Sequence, residues 1–514
     1  KITINSLSYY RMLGMPTLRW KDKEKYEHLI SDIHNKAVSF QINEDFYDIS
    51  LKTTSIDEDD IWKNMLIRGD NKMVMESLIK SSLEKVDLIY IDPPFATGGN
   101  FNYKIHIGEE GAKEDVESYS DKWKGGIDSY LNFLYERIIL MKHLLSEKGS
   151  IFLHLDWHIS HYVKIMLDEI FGEGNFRNEI IWVYPAASAQ TRSFFIRSFD
   201  VILFYTKSDK YLFNDDPNIY MEYSDRVKNA LKEDENGVFY YRGGSHNGKK
   251  LSQKVYVKQD GIFPRDFWHD IPYIRANTAE YQGFSTQKPE RLLKRIILAT
   301  TNKNDLVADF FCGSGTTLAV AEKLGRRWIG CDSTNHAIHM GRKRLLNINN
   351  SNDIFTWKKK YTQSLKPFKI LSLEGIHDRG FLPDKFMEKG ENIKLKNIFG
   401  TSKPKLSIEI LQNEQKIVLE LTNYSLPFMD QISSKIREKI KIFSDWIDYW
   451  AIDFSYSQNV FNVNWTSFRT PKMRKIEMRS KEHSYLKPGK YLIAIMVIDI
   501  LGINTIHKFE IKVD

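Results

Sequence analysis

The sequence predicts an α/β protein: a doubly wound sheet covered by helices on both faces, interrupted by an inserted segment and followed by an all-β domain. Three observations lead there. Between Asn64 and Lys207, and again from Pro289 to Ser333, apolar strand-like runs alternate with helical patterns. Between about 206 and 275 that alternation stops. Beyond residue 400 only short alternating strands and polar turns remain, the pattern of a β-sandwich. A chain of 514 residues has room for two or three such units. The expected boundaries are 1–60 for an amino-terminal arm, 61–205 and 276–350 for the halves of the α/β domain, 206–275 for the insertion, 351–400 for a linker and 401–514 for the β-domain.

Taken in order, the first sixty residues are mixed and polar, with an acidic patch "SIDEDD" at 55–60, and read as an arm or small cap. "NMLIRGDNKMVMESLIKSSLEKVDLIYID" gives an apolar element, the polar turn "RGDN", a helical pattern and a strand. A helix at about 127–147 precedes a buried strand, "SIFLHLD" at 150–156. "HYVKIMLDEIFG", "NEIIWVY" and "DVILFYTK" extend the alternation. The insertion contains "FYYRGGSHNGKKLSQKVYVKQ" (239–259), a Gly-bearing, irregular stretch in which Arg242, Lys249, Lys250, Lys254 and Lys258 are interleaved with Phe239, Tyr240, Tyr241 and Tyr256 and no acid occurs. Cations among aromatics suit contact with phosphates and bases; a solvated surface hairpin is the alternative. The final domain reads as strands "KLSIEIL", "KIVLELTN", "YWAIDFSY", "RKIEMRS", "KYLIAIMVID" and "HKFEIKVD", with Trp446, Trp450 and Trp465 as core.

Composition narrows the chemistry. A formal charge of +7 leans towards a polyanionic partner. The two cysteines, Cys312 and Cys331, cannot make a disulfide scaffold. No apolar run reaches the ~20 residues that span a bilayer, and "KITINSLSYYRMLGM" has no continuous apolar core of a signal peptide. The expectation is a soluble protein of a reducing, cytoplasmic compartment with no membrane contact. Among 14 histidines there is no HExxH and no Cys-His cluster at zinc spacing, so no metal is expected.

Two motifs carry reactive groups. In "DLVADFFCGSGTT" (305–317) a buried strand ends at Asp309, and Gly313 and Gly315 allow a tight turn where backbone approaches a ligand before a helix starts. Asp332 ends the next strand, where a carboxylate can accept from both ribose hydroxyls of a nucleoside. A P-loop would need Lys after the last glycine, and Thr316 and Thr317 stand there instead; a nicotinamide fingerprint would need Gly at Leu318. A purely structural strand-turn-helix explains the glycines but not acids at successive strand ends. In "VDLIYIDPPFATGGNF" (86–101) a buried strand opens into Asp92, Pro93, Pro94 and Phe95. An exocyclic amine of a nucleobase is a poor nucleophile because its lone pair is delocalised into the ring. Asp92 and the carbonyl of Pro93 can accept its hydrogens and draw the nitrogen towards sp³ geometry. The proline pair stiffens the loop and brings no competing donor, and Phe95 offers a face for an extruded base.

"DPPF" after one strand and "DFFCGSGTT" after another resemble the DNA amino-methyltransferases that use S-adenosylmethionine. The order, with the catalytic motif first, the variable basic region next and the cofactor motif last, is similar to their β group, which includes the modification subunits of type III restriction systems. The resemblance covers about residues 60–350 and includes "RGDN", "GSIFLHLDWH" (149–158) and "STQKPERLLKRII" (285–297). It implies a Rossmann-like, circularly permuted methyltransferase sheet, with 61–205 as the catalytic half, 206–275 as the target-recognition region and 276–350 as the cofactor-binding half. It implies that Asp92, Pro93, Pro94 and Phe95 hold the target base. It implies that Asp309, Phe311, Cys312, Gly313, Ser314, Gly315, Thr316 and Asp332 line the methionine and ribose regions. Asp70 would lie near the cofactor adenine, and Gln287, Lys288 and Pro289 in the segment that closes over the methionine end; Asp156 would border that end, with a strand-end helix cap as its alternative.

Relatives commonly carry Asn after the aromatic; here Ala96 stands in its place, with Asn100 or Asn102 as substitutes for any lost contact. The acid at the first motif position favours adenine N6 over cytosine N4. Arg192 and Arg197, in the loop "YPAASAQTRSFFIRSF" (184–199), are candidates for guanine or phosphate contact. The implied partners are double-stranded DNA, a separate restriction helicase-nuclease and a second copy in a homodimer. The rival reading is a recognition subunit that mainly positions such a nuclease, and RNA is a weaker substrate candidate. The sequence "YLKPGKYLIAIMVIDILGINTIHKFEIKVD" looks like the last strands of an immunoglobulin-like or PKD-like module.

Overall fold

The computed structural model describes residues 17–26, 29–31, 38–46, 62–81, 83–185, 193–246, 249–257, 261–284, 286–374 and 404–514. The strands and helices used below are β1 (Phe40–Phe46), β2 (Asn64–Arg68), α1 (Asn71–Lys80), β3 (Val86–Ile91), β4 (Asn100–Ile107), β5 (Ala112–Ser120), α2 (Gly126–Leu144), β6 (Leu145–Leu155), α3 (Ser160–Phe171), β7 (Phe176–Val183) and β8 (Phe199–Thr206). The insertion holds β9 (Lys232–Asp234), β10 (Gly237–His246), β11 (Lys249–Tyr256) and β12 (Phe267–Trp268). Then come α4 (Glu290–Thr300), β13 (Leu306–Asp309), α5 (Thr316–Lys323), β14 (Arg327–Asp332), α6 (Asn335–Leu346) and β15 (Phe368–Leu373). The last part contains β16 (Lys405–Asn413), β17 (Lys416–Ser425), β18 (Ile447–Asp453), β19 (Phe461–Asn462), β20 (Trp465–Phe468), β21 (His483–Ser484), β22 (Gly489–Asp499) and β23 (Asn504–Val513).

An 11-stranded sheet runs β12-β7-β8-β6-β3-β13-β14-β2-β15-β1-β19. Its centre is parallel, and there β3 and β13 are apolar on both faces, as strands covered twice must be. Side chains alternate between two cores: Ile89 and Ile91 pack with α1, α2 and α3, whereas Leu88 and Tyr90 pack with α4, α5 and α6. Beside β3 lies β13, with Val307 opposite Leu88 and Ala308 opposite Ile89. From this pair the sheet continues to β6 on one side and to β14 on the other, so the winding direction reverses between them. Such a switch point leaves a crevice at the carboxyl ends of the strands, where Asp92, Asp309 and Asp332 all emerge.

The 1–60 arm needs correction. Residues 17–26 do lie against the α/β core, with Trp20 Nε1 donating to Asn132 on α2 at 2.7 Å. However, β1 belongs to the central sheet, paired with β15 because Phe46 stacks on Phe368 at 4.2 Å. The patch "SIDEDD" lies outside the described residues. The 351–400 linker is likewise interrupted by β15, whose apolar "FKILSL" is buried between β1 and β2. Within 206–275 the stretch expected to be irregular is a three-stranded sheet, β11-β10-β9, held by cross-strand pairing of Phe239 with Tyr256. Between β3 and α2 the sequence reading placed no strands, yet β4 and β5 form a hairpin there.

The carboxyl-terminal part consists of a three-stranded sheet, β16-β17-β21, and a four-stranded sheet, β20-β18-β22-β23, around an apolar core that includes Trp446 and Trp450. The expected strand "RKIEMRS" is instead a segment with a single bridge, Arg479 to Glu420, and at its start Arg474 turns its guanidinium to backbone carbonyls of the β4–β5 hairpin. Short β19 pairs in parallel with β1, so this part also adds the last strand of the central sheet.

Candidate active site

Asp92 leaves the end of β3 directly into the crevice. Its Oδ2 accepts from Lys288 Nζ at 2.6 Å, and its Oδ1 is buried with no hydrogen-bond partner. A buried acceptor without a donor is costly unless something else supplies one. The next aromatic, Phe95, lies parallel to His154 with ring centres 6.2 Å apart. His154, on β6, is itself fixed by Tyr90 at 3.0 Å and Asp200 at 2.9 Å, and Asp200 also accepts from Tyr184 at 2.8 Å. The Phe95 ring therefore rests against a buried, fully connected polar network.

Ala96 takes a left-handed conformation, φ 56°. Asp121 makes this possible: its carboxylate accepts from the amides of Ala96 (3.1 Å) and Thr97 (2.8 Å), from Thr97 Oγ1 (2.9 Å) and from Trp123 Nε1 (2.9 Å). An Asn at this position would tolerate this region of backbone space better than Ala does. Replacing Ala96 with Gly is therefore expected to raise the unfolding free energy by about 0.5–1 kcal/mol, measurable by urea titration. Asn100 and Asn102 lie on β4, where only their backbone is described.

The glycine turn forms the other wall. Gly313, φ 45°, donates its amide to Asp332 Oδ2 at 3.1 Å, and Asp332 also accepts from Thr334 N and Oγ1, both at 2.9 Å. Gly315, φ 71°, sits behind the turn, where a Cβ would stand 3.2 Å from Gly341 Cα. From the rear, Arg344 donates to Ser314 O (3.2 Å), Thr316 Oγ1 (2.9 Å) and Glu290 Oε1 (2.9 Å), and Lys323 donates to Glu290 Oε2 at 2.6 Å. Burial works against the Glu290 carboxylate, but Lys323 and Arg344 hold it below its ordinary range.

Asp309 accepts from Phe311 N at 3.0 Å and Thr317 Oγ1 at 2.5 Å, and burial pushes its carboxyl up to about 7. Burial raises Asp332 as well, and it lifts Asp499 of the carboxyl-terminal sheets to about 7. For Asp309 and Asp499 the folded state keeps protons that the unfolded chain, titrating near ~4, releases. Their contribution to stability is complete below about pH 4 and is lost as pH rises through about 7. The expected result is that Asp309→Asn flattens this part of the stability profile, gaining on wild type at pH 8 but not at pH 4, by chemical unfolding at each pH.

Both walls bound a single cavity of about 320 Å³. Of the residues singled out in the sequence, Asp70, Asp92, Pro93, Pro94, Phe95, Gln287, Lys288, Asp309, Phe311, Cys312, Gly313, Ser314, Thr316 and Asp332 line it. Asp70 caps α1 and pairs with Arg137 at 2.9 Å. Gln287 braces its own segment, accepting from Gln282 N and donating to Glu280 O. Three residues are not on the wall. Pro289 caps α4, Gly315 serves packing, and Asp156 turns to His158, whose backbone N it accepts at 2.9 Å and whose Nδ1 it meets at 2.6 Å. Sequence reasoning missed Asn71, Tyr90, Trp123, Phe133 and Phe284, which also line the cavity. Asn71 ends the quoted "RGDN" and could have been found there; Trp123 and Phe133 arrive from α2 and the loop before it, with no signal beyond their being aromatic.

The basic residues behave differently from one another. Arg197 stacks over Trp157 at 3.9 Å, on the exposed turn after β6. Arg242 is exposed on β10, whereas Lys254 is not a free cation: it pairs with Asp234 and covers Phe239. Lys249 and Lys250 are described by backbone alone, opposite His246 and Ser245. Arg192 and Lys258 lie outside the described residues. Among the described residues no group of His, Cys, Asp and Glu could hold a metal ion, and no helix is long and apolar enough to cross a membrane.

Comparison with known proteins adds a second line of evidence. Residues 86–343 match the model of a family described as DNA methylase. The chain is 32% identical over 281 residues to the DNA adenine methyltransferase YhdJ of Escherichia coli, covering 54% of this chain and 82% of that protein. It is 30% identical over 327 residues to the type II methyltransferase M.EcaI of Enterobacter cloacae, covering 55% and 70%. To the probable type III restriction-modification HindVI Mod subunit of Haemophilus influenzae it is 26% identical over 394 residues, covering 56% of this chain and half of that one. Since the family match opens at the first residue of β3 and runs beyond Asp332 into α6, it spans both walls of the cavity, and the chain belongs to the DNA methylase family.

Proposed function

We propose that the chain is a site-specific DNA methyltransferase that methylates N6 of an adenine turned out of the duplex, with S-adenosylmethionine as methyl donor. The observation that carries this reading is the free, buried Oδ1 of Asp92 in the same cavity as Gly313 and Asp332. The residues fit that donor: a tight glycine turn for its backbone approach, a half-buried acid at the end of the adjoining strand for ribose hydroxyls, and aromatic walls from Phe311 and Phe133. When bound, the sulfonium supplies an activated methyl group. The chain has the remaining work to do. Lys288 fixes Oδ2 of Asp92 and leaves Oδ1 to accept a hydrogen of the target amine, while the Pro93 carbonyl accepts the other. Together they localise the nitrogen lone pair, and Phe95, braced by His154, sets the plane of the base.

In this reading residues 61–205 are the catalytic half, 276–350 the cofactor half and 206–275 the target-recognition region of a permuted sheet, and the terminal sheets form an immunoglobulin- or PKD-like module. The stacked Arg197 and Trp157, with exposed Phe194 and Phe195 nearby in sequence, make a face for duplex DNA beside the crevice. The likeness to a Mod subunit supports a separate restriction helicase-nuclease as partner. The test uses donor labelled in its methyl group and a panel of duplexes, followed by digestion to nucleosides. Label in N6-methyladenine is expected; label in N4-methylcytosine moves the assignment to the other amine, and no incorporation into any duplex overturns it.

A further inference from the structure

The family match ends at residue 343, well short of the carboxyl-terminal sheets. Those sheets nevertheless grip the segment that grows out of the Asp92 loop. Hairpin β4–β5 closes where Gly98 N donates to Asp121 O at 3.2 Å and Asp121 N donates to Gly99 O at 2.9 Å. Asp121 is thus both the last tie of the hairpin and the carboxylate that holds Ala96 and Thr97. At the far end, Ile105 and Ile107 are buried in the same core as Leu419, Trp446 and Ile500. Arg474 donates to the carbonyls of His106 and Gly108, both at 2.8 Å. Lys441 pairs with Glu110 at 2.8 Å and Lys439 with Glu114. A Cβ at Gly108 would collide with the Asp445 carboxylate, so the tip fits closely. The opposite wall is tied in as well: Lys104 N donates to Gly283 O at 3.3 Å, and the cavity-lining Phe284 packs against the same core.

A two-stranded hairpin is marginally stable by itself, and one rooted next to a reacting carboxylate would carry its fluctuations into the loop. We propose that the carboxyl-terminal β-sheets work as a clamp on the active site: by docking the β4–β5 hairpin they hold the Phe95–Thr97 loop in place for the target base, with Arg474 as a positioning residue. The kinetic part of this inference rests on the methyltransferase reading. The structural part does not.

The experiment compares the full chain with Arg474→Ala, Arg474→Lys and the double variant Lys439→Ala/Lys441→Ala. Hydrogen exchange is expected to quicken about tenfold at the amides of Ala96 and Thr97 in Arg474→Ala, with Gly313 unchanged. At saturating donor, methyl transfer falls about tenfold while the Kd for S-adenosylhomocysteine stays within about twofold, and Arg474→Lys recovers part of the loss. The double variant removes one exposed and one half-buried lysine side chain and leaves the apolar core intact, so it folds even if Arg474→Ala does not, and it shows the same pattern at smaller size. Unchanged exchange at Ala96 and Thr97 in the folded variants, or an equal rise at Gly313, overturns the proposal. If no variant and no wild-type chain methylates DNA, the functional reading fails while the exchange data still decide the clamp.

Discussion

Asp92→Ala is expected to lower the rate of methyl transfer by about 10³-fold while leaving affinity for the methyl donor within about threefold of wild type. The size follows from what Asp92 does not contact. One oxygen is occupied by Lys288; the other is buried and unpartnered on a residue that lines the cavity, so it is the acceptor left for a donor brought by substrate. A preorganised acceptor of this kind acts where charge develops on the amine, and losing one such contact costs about 3–4 kcal/mol of barrier. Asp92→Asn keeps an oxygen but not the negative charge and falls between wild type and Asp92→Ala. The measurement is single-turnover transfer at saturating DNA beside calorimetric donor binding. Equal rates for Asp92→Ala and wild type would remove Asp92 from the chemistry.

The largest loss of stability is expected at Glu290. Its carboxylate is almost fully buried between Lys323 and Arg344, which are as inaccessible as it is. In Glu290→Ala both cations remain in the core without their counter-charge, a change that costs about 3–5 kcal/mol. Arg344 also supports Ser314 and Thr316, so the glycine turn loosens and donor affinity falls together with stability. A surface control calibrates the effect. Glu84 meets Arg327 at 2.5 Å but is half exposed, and Glu84→Ala is expected to cost less than about 1 kcal/mol. Urea unfolding of both variants, with donor binding by calorimetry, makes the comparison.

What was legible in the sequence was what local pattern encodes. The apolar runs of β3 and β13 are short, but each leads straight into a distinctive turn, so both walls of the cavity could be located from "DPPF" and "CGSG". The strand pairing that brings them together is not local, yet the parallel α/β reading implied it. Asp156 stayed open between two readings because an acid at a strand end can face a ligand or turn onto its own chain, and the choice depends on His158 two residues on. The hairpin β4–β5 was missed although "FNYKIHI" alternates apolar and polar residues: its partner "AKEDVES" is mostly charged, and Ile105 and Ile107 find their core in a distant part of the chain. The same holds for β1 and β15: each is short, and each is a strand only because the other, or β2, lies beside it. Arg474 stood in an apparently alternating strand, and nothing near it in sequence announced the carbonyls of residues 106 and 108.

Cys312 and Cys331, the two thiols of the chain, are both buried under the glycine turn, and burial pushes them well above the usual thiol range. A maleimide added to the folded protein therefore meets only protonated, nearly inaccessible sulfurs, and it reacts slowly: with Cys312 from the cavity side and with Cys331 when the strand ends that flank the crevice open. A cysteine engineered at the surface can carry a fluorophore without background, which would let the approach of DNA to the loop after β6 be followed in real time.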